Sequence, residues 1–302
     1  MTHDRNPVQV EEYTDTAEDR VAYGRLSERR LPGWPVMHRS PKQVGAFAFW
    51  AVRRDGELLG YADCGEFPGV DDRDAFHVWI VADPDTSERG IGTALLKACR
   101  EFARKHDRSV LVTSIDQEDA PANVWMVNRG FEVHGESIRY ELSTDWPELL
   151  GHDLTFTDAA DADEATRRRI LNMALLTHNR HVFPGGGAWQ ETMEEVEEAF
   201  FEPEQCRVTV GWRGGEPVAW AAWQRDGQKV LVRETCVLMS DEYDQAQTLT
   251  EVARSSGAEI MEIVASPQTH PLVTAVIRAR DPRVLAVRRT WRGGMTDREP
   301  RV

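Results

Sequence analysis

No apolar run in these 302 residues approaches the roughly 20 needed to cross a bilayer as a helix, which argues against a membrane partner. Cysteine is scarce. Cys64, Cys99, Cys206 and Cys236 are scattered with no C-x-x-C spacing, as expected of reduced thiols in a cytosolic protein. Positive charge is also short, with 36 Lys and Arg against 51 Asp and Glu and a net charge of −15. That balance disfavours the backbone of a nucleic acid as partner. It suits cationic substrates, and equally serves solubility or a salty habitat. The opening "MTHDRNPVQVEEY" is polar and partly acidic, unlike a secretory leader, so a cytoplasmic location is expected. His178 and His181 stand three residues apart, but no third ligand with familiar spacing accompanies them, and no metal is expected. What is present is a globular composition, 41% hydrophobic and 29% charged, over a length that suits about two domains, each with its own core.

The two halves echo one another. Residues 53–62, "RRDGELLGYA", and 212–221, "WRGGEPVAWA", each read as a hairpin, turning at Asp55-Gly56 or Gly214-Gly215. Helical stretches precede both, at 17–31 and 162–179. After each hairpin come an apolar strand, a helix and another apolar strand. These are "FHVWIVA", 91–105 and "SVLVTSI" in the first half, and "KVLVRETCVLM", "DQAQTLTEVARSS" and "AEIMEIVA" in the second. The seam falls in 143–153, where Pro147 and Gly151 interrupt the pattern. The stretch "HNRHVFPGGG", 178–187, reads as a loop over a cleft, and "WQETMEEVEEAFFEPE" as a helix with a core face at Met193, Val196 and Phe200.

The sharpest local signal is "DPDTSERGIGTALLKACREFARKH", 83–106. Two glycines stand where a helix begins, as if something approaches the backbone more closely than a Cβ permits. An open helix N-terminus offers unpaired N–H groups and a positive dipole end, which favour a phosphate; an ordinary strand-to-helix turn is the plainer alternative. Ile91, Leu95, Ala98 and Phe102 recur at helical spacing as a core face. Lys97, Arg100, Glu101, Arg104 and Lys105 would cover the solvent side.

Strand, Pro84 six positions before Gly90, glycine turn, helix, "SVLVTSI", then a short helix ending in "NRGF" resembles the GNAT superfamily of acyl-CoA-dependent N-acyltransferases. The resemblance covers 13–142 well and 154–292 in outline. Tandem members such as mycothiol synthase exist. It implies an α+β fold of two tandem GNAT-like units, 1–146 and a degenerate 152–302. Each would be a mixed, mostly antiparallel twisted sheet flanked by helices. It further implies acetyl-CoA as cosubstrate. The pantetheine arm would lie along Ile80, Val81 and Ala82, where an edge strand splays from its neighbour. The pyrophosphate would be held by Ser87, Glu88, Arg89, Gly90, Ile91, Gly92, Thr93 and Ala94. Ser87 departs from the family's Gln or Arg, and Glu88 places a carboxylate near a pyrophosphate, which Arg89 offsets. The second half has no glycine between Gly227 and Gly257 and carries Asp241, Glu242 and Asp244, so it is not expected to bind coenzyme A.

Acyl transfer to an amine requires a neutral amine, donors for an oxyanion and a proton or dipole for the leaving thiolate. The family's tyrosine acid, four residues before the Gly-Phe glycine, corresponds to Met126, which cannot donate a proton. The family's base positions correspond to Phe76 and Val78. His77 lies between them and by alternation points the other way unless a bulge turns it. Asp116, just past "SVLVTSI", is a second candidate, and His77 and Asp116 are carried forward as catalytic candidates. Asp63 and Glu66, after the second hairpin arm, come near where acceptors lie. The loop acids Glu66, Asp71, Asp72 and Asp74 would draw a cationic amine or simply face solvent. The expected activity is transfer of an acetyl group from acetyl-CoA to a small, cationic primary amine, by a monomer or homodimer. The other class left open is a non-catalytic acyl-CoA-binding or regulatory module.

Overall fold

The computed structural model describes residues 8–14, 16–30, 46–66, 74–83, 90–146, 153–182, 191–201, 206–237, 242–267 and 271–295. The first half runs β1 (Glu11–Glu12), α1 (Ala17–Arg30), β2 (Phe47–Arg54), β3 (Glu57–Gly65), β4 (Ala75–Ala82), α2 (Ile91–Lys105), β5 (Val110–Asp116), α3 (Ala120–Asn128) and β6 (Phe131–Ser143). The second runs β7 (Thr155–Asp158), α4 (Glu164–Val182), α5 (Met193–Val196), β8 (Arg207–Arg213), β9 (Glu216–Asp226), β10 (Lys229–Val237), α6 (Glu242–Ser255), β11 (Ile260–Ala265), α7 (Pro271–Arg278) and β12 (Arg283–Gly294). Two compact units emerge. Unit 1 holds residues 1–113, 126–132 and 292–302; unit 2 holds 114–125 and 133–291. The chain therefore passes between them several times rather than once.

In unit 1 the strands lie in the order β1-β2-β3-β4-β5, antiparallel except for the parallel β4/β5 pair. The β2/β3 turn has positive φ at Asp55 (51°) and Gly56 (83°), the two left-handed residues that match the twist of a hairpin. Strand β3 is buried on both faces, and its alternation sorts the side chains. Tyr61 and Asp63 face α1, where Tyr61 packs against Tyr13, Tyr23, Leu26 and Val81. Gly60, Ala62 and Cys64 face α2. Gly60 is small for a steric reason: a Cβ there would sit 2.4 Å from Ile91 Cγ2 and 3.1 Å from Leu95 Cδ1. Helix α2 buries Ile91, Leu95, Leu96, Cys99, Arg100 and Ala103. The buried stripe thus lies one position round from the expected one, and Arg100, assigned to solvent by spacing, is inside. Its guanidinium donates to the Arg129 carbonyl at 3.2 Å, which is what makes its burial tolerable.

Unit 2 repeats the plan. Its strands follow the order β12-β6-β11-β10-β9-β8-β7, and β10/β11 is again the parallel pair. The β8/β9 turn uses Gly214 (φ 59°) and Gly215 (φ 82°). Strand β9 places Trp220 and Ala222 in the core under α4, and Ala221 and Trp223 in the core shared with α6 and α7. Each indole N–H is satisfied, Trp220 by the Thr177 hydroxyl at 2.7 Å and Trp223 by Thr209 at 2.9 Å. Helix α4 continues through Val182, so the expected loop starting at His178 begins later, and His178 is buried on that helix; residues 183–187 lie outside the described ones. The expected glutamate-rich helix is a short α5, with a capping box between Thr192 and Glu195, followed by a π-helical turn over Glu197–Phe201.

Substituting valine at Gly60 should lower the denaturant midpoint with an unchanged slope, by about 2 kcal/mol, because the α2 backbone and side chains must move to admit it. Gly135→Ala, where nothing lies within 4 Å of the added Cβ, should shift stability by no more than about 0.5 kcal/mol.

Candidate functional site

The decisive geometry in unit 1 is a ladder that stops. Strands β4 and β5 pair at Ala75/Val110, Phe76/Leu111 and His77/Val112, and no further. From Val78 to Ala82, β4 is paired only with β3. The Asp83 amide donates to the Leu59 carbonyl at 2.9 Å, which sets the alternation. Val81 and Trp79 exchange backbone bonds with β3, while Ile80 and Ala82 direct theirs to the side from which β5 has departed. Of the three strand residues expected to meet pantetheine, Ile80 and Ala82 present backbone groups to that open side; Val81 contributes its side chain to the core.

Next to this edge, α2 begins at Gly90, whose φ of 99° is left-handed and favours glycine. Among the described residues no side chain caps the helix, and its first turn holds no acid. The Ala94 amide already binds the Gly90 carbonyl, which leaves the amides of Ile91, Gly92 and Thr93 as the uncapped start of a positive dipole end. A cation stands beside it: Arg129 donates to the Thr93 hydroxyl at 2.7 Å. Sequence reading saw Arg129 only as a letter of "NRGF"; nothing local says that α3 brings it to this helix end. Ser87, Glu88 and Arg89 lie outside the described residues, as do Asp71 and Asp72.

The catalytic candidates separate. Regular β3/β4 register, with no bulge, keeps His77 on the α1 face, opposite Phe76, which stacks on Phe102 of α2 with ring centroids 5.5 Å apart. His77 is 9% exposed and stands diagonally across the ladder from Asp63, itself 2% exposed; these two buried polar side chains share one sheet face. Asp116 belongs to unit 2. Its carboxylate accepts from Arg288 at 3.1 Å, and Asn123 holds its carbonyl at 2.9 Å. Glu66, from the acidic loop, is ion-paired to Arg108 at 3.0 Å. Met126 is buried, a thioether in the place of a proton donor.

The segment that carries the split sheet edge and the glycine-started helix, residues 11–131, matches the acetyltransferase (GNAT) family model. This match spans about two fifths of the chain. An uncharacterized N-acetyltransferase of Methanocaldococcus jannaschii is 26% identical over 131 residues, which is 39% of this chain and 58% of that protein's length. A GCN5-related N-acetyltransferase from Sphaerobacter thermophilus shares the fold over 96% of both chains, at 15% identity and a TM-score of 0.60. A tandem GNAT protein from the clavulanic acid biosynthesis pathway shares it over 95% of this chain and 99% of its own, at 16% identity and a TM-score of 0.59. The chain therefore shares its fold with these two proteins along nearly its whole length. No helix among the described residues is long and apolar enough to cross a membrane.

The second unit keeps the split and places acids at the start of the corresponding helix. Strands β10 and β11 pair at Lys229/Ile260, Val230/Met261 and Leu231/Glu262 only. Helix α6 carries Glu242 and Asp244 in its first turn. Asp244 is ion-paired to Arg213 at 2.6 Å, Glu242 accepts the Val273 amide at 3.2 Å, and Gln245 donates to the Thr235 carbonyl at 2.9 Å, on the released part of β10. Under α4, His178 sits with Nε2 3.1 Å from a Glu191 oxygen and Nδ1 4.0 Å from Glu234, at ion-pair distance though not aligned as hydrogen bonds. Burial by itself would push the imidazole pKa down; the two carboxylates outweigh it and leave it raised above the ordinary value.

A raised native pKa means that the folded state holds a proton which the unfolded state releases near pH 6.5. The His178 contribution should be complete below about pH 6.5 and vanish as pH rises through the native value. Wild type should therefore lose stability relative to His178→Gln across that interval, read from denaturant midpoints at a series of pH values.

Proposed function

We propose that the chain is a cytoplasmic, acetyl-CoA-dependent N-acetyltransferase whose first repeat, 1–146, holds the coenzyme and whose second, 152–302, is a degenerate copy that does not. The observation that carries this reading is the conjunction of a released β4 edge at Ile80 and Ala82 with the uncapped α2 start at Gly90. A coenzyme's pantetheine arm offers amides suited to such an edge, and its pyrophosphate suits three bare N–H groups and a dipole end. Gly90 keeps that end clear, and Arg129 adds a fixed positive charge beside Thr93. Acetyl-CoA would supply the activated acetyl thioester; this chain's part is to orient it and to exclude charged competitors from the strand edge. In unit 2 the same end is plugged by Gln245 and lined by acids.

The acceptor is proposed to be a small cationic amine, in keeping with the net charge of −15. Such an amine must lose its proton before it attacks. His77 and Asp116 are the candidate acceptors of that proton, directly or through water, with the Asp63 carboxylate on the same sheet face as His77. Met126 in place of a tyrosine favours a second reading, a module that binds acyl-CoA without turning it over. Thiol release from acetyl-CoA across a panel of amines distinguishes the two.

Calorimetric titration with acetyl-CoA should give one site per chain. Gly90→Asp should abolish binding, because it places a negative charge and a strained φ at the helix start, and Arg129→Ala should weaken it about tenfold, as expected for a charge-assisted phosphate contact. Two sites per chain, or binding indifferent to Gly90→Asp, would defeat the assignment. With saturating acetyl-CoA and an alkylamine acceptor, the rate should climb from about pH 7 to 9 as the neutral amine fraction grows, about tenfold per pH unit at the low end. A flat profile, or a preference for anionic acceptors, would rule out the cationic-amine assignment.

A further inference from the structure

In unit 2 the end of the β10/β11 ladder leaves a cavity of about 230 Å³ that the proposed activity does not use. It is smaller than the usual range for drug-sized or coenzyme ligands, about 300–1,000 Å³. Strand register assigns its walls to one face of the sheet. Val232 stands opposite Trp223 and Thr235 opposite Ala221, and both partners belong to the core shared with α6 and α7. Ile263, Ala265 and Val273 belong to the same core and complete an apolar lining, with Gln245 of α6 beside them.

Charge is turned away from this space. Arg233 and Glu234 border the cavity where the β9/β10 register shifts. Past the shift Glu234 stands opposite Ala222, in the core under α4, where the Cys236 thiol donates to it at 3.2 Å and His178 lies 4.0 Å away. Arg233 is exposed. Burial raises the pKa of the Cys206 thiol, also under α4, and the Arg233 charge opposes that rise, so the guanidinium acts on the α4 face. An ion entering on the α6 face would shed its water against valine, isoleucine and alanine walls, with neither charge turned to meet it.

What that face offers is concentrated at Thr235. Its hydroxyl oxygen is buried and has no hydrogen-bond partner among the described residues. Such a group is costly and rare in a native structure, and this one stands on a cavity wall. The Thr235 carbonyl is engaged by Gln245 at 2.9 Å, from α6, which marks the side of the strand released by β11. Both backbone groups of a residue in an antiparallel pair point to the same side, so the Thr235 amide faces the released edge too. One residue therefore presents two donors, a hydroxyl and an amide, to an oxygen acceptor.

We propose that this cavity is a binding site for a small, uncharged aliphatic carbonyl compound. The carbonyl oxygen accepts from the Thr235 hydroxyl and amide, and a branched hydrocarbon tail lies against Val232, Ile263, Ala265 and Val273. This site is independent of coenzyme binding in unit 1.

Isovaleramide is the probe, titrated into the full chain with calorimetry and methyl NMR as readouts. It should bind at one site per chain and shift the methyl signals of Val232, Ile263 and Val273. Isovalerate and isopentylamine carry the same skeleton with a charge of either sign. Each should bind about tenfold more weakly or worse, because it must bury an unpaired ion. Thr235→Val, close to isosteric, should weaken isovaleramide binding about threefold or more and raise the thermal midpoint of the ligand-free chain, since it removes a partnerless buried hydroxyl. Ala265→Leu, its fold checked by thermal unfolding, should abolish binding by filling the space. Saturating acetyl-CoA should leave the affinity unchanged. The proposal is overturned if isovaleramide does not bind at millimolar concentration, or if the shifts fall on methyl groups elsewhere. It is overturned equally if either ion binds as tightly, if Thr235→Val or a folded Ala265→Leu leaves affinity intact, or if acetyl-CoA displaces the amide. None of these outcomes depends on whether unit 1 is catalytically active.

Discussion

Backbone N–H and C=O groups inside a protein must be paired, and everything distinctive in this chain follows from two places where a parallel ladder stops after three rungs. A continued ladder would have bound β4 to β5, or β10 to β11, along their full lengths, with no space between them. Releasing the strands costs several backbone hydrogen bonds in each unit. The compensation must come from elsewhere: a side chain, water or a ligand. Unit 1 leaves the groups of Ile80 and Ala82 facing outward beside an uncapped helix. Unit 2 answers one carbonyl with its own Gln245 and retains a small cavity. The same architectural defect therefore has two outcomes, set by a handful of side chains at the start of one helix.

Electrostatics divides the two helix starts further. A bare N-terminus is a site for negative charge, and α2 keeps it available by having Gly90 as cap and no acid in its first turn. In α6 the first-turn acids Glu242 and Asp244 take that role themselves. Asp244 is then neutralised by Arg213, whose guanidinium also binds Asp153 and is held more firmly charged by both. An intramolecular carboxylate near the dipole end supplies the negative charge that the start of α2 lacks in its own first turn. The buried polar groups elsewhere follow one rule. Arg100 is admitted to the core of unit 1 because the Arg129 carbonyl meets it, and His178 to that of unit 2 because two glutamates flank it.

Much of this was legible in the order of residues. Turn pairs such as Asp55-Gly56 and Gly214-Gly215 have a local cause, since left-handed φ at both positions is a property of those dipeptides and of nothing distant. Alternation in "FHVWIVA" and the repeated hairpin pattern are likewise local, and they reported the strand and the duplicated plan. Helix phase was less secure. Spacing alone assigned Arg100 to solvent, because amphipathic patterns locate a face only to within about one position, and a buried cation requires a partner that comes from 29 residues away. The end of α4 was missed for a related reason. "HNRHV" is weakly helical by itself and is helical here because His178 and Thr177 lie under a tryptophan-lined sheet.

By itself, then, the sequence determined the element types, the turns and the family likeness, all of which rest on interactions among near neighbours in the chain. Only the tertiary structure decided which backbone groups of β4 are exposed, that His77 stays opposite Phe76 and diagonal to Asp63, that Asp116 is held by Arg288, and that Arg129 reaches Thr93. It also decided that Val232, Thr235 and Ile263 line one cavity. Each of these depends on strand register or on a contact between segments separated by tens of residues. A single-residue slip in register would send every one of those side chains to the other face, and no local pattern records which register the core selects.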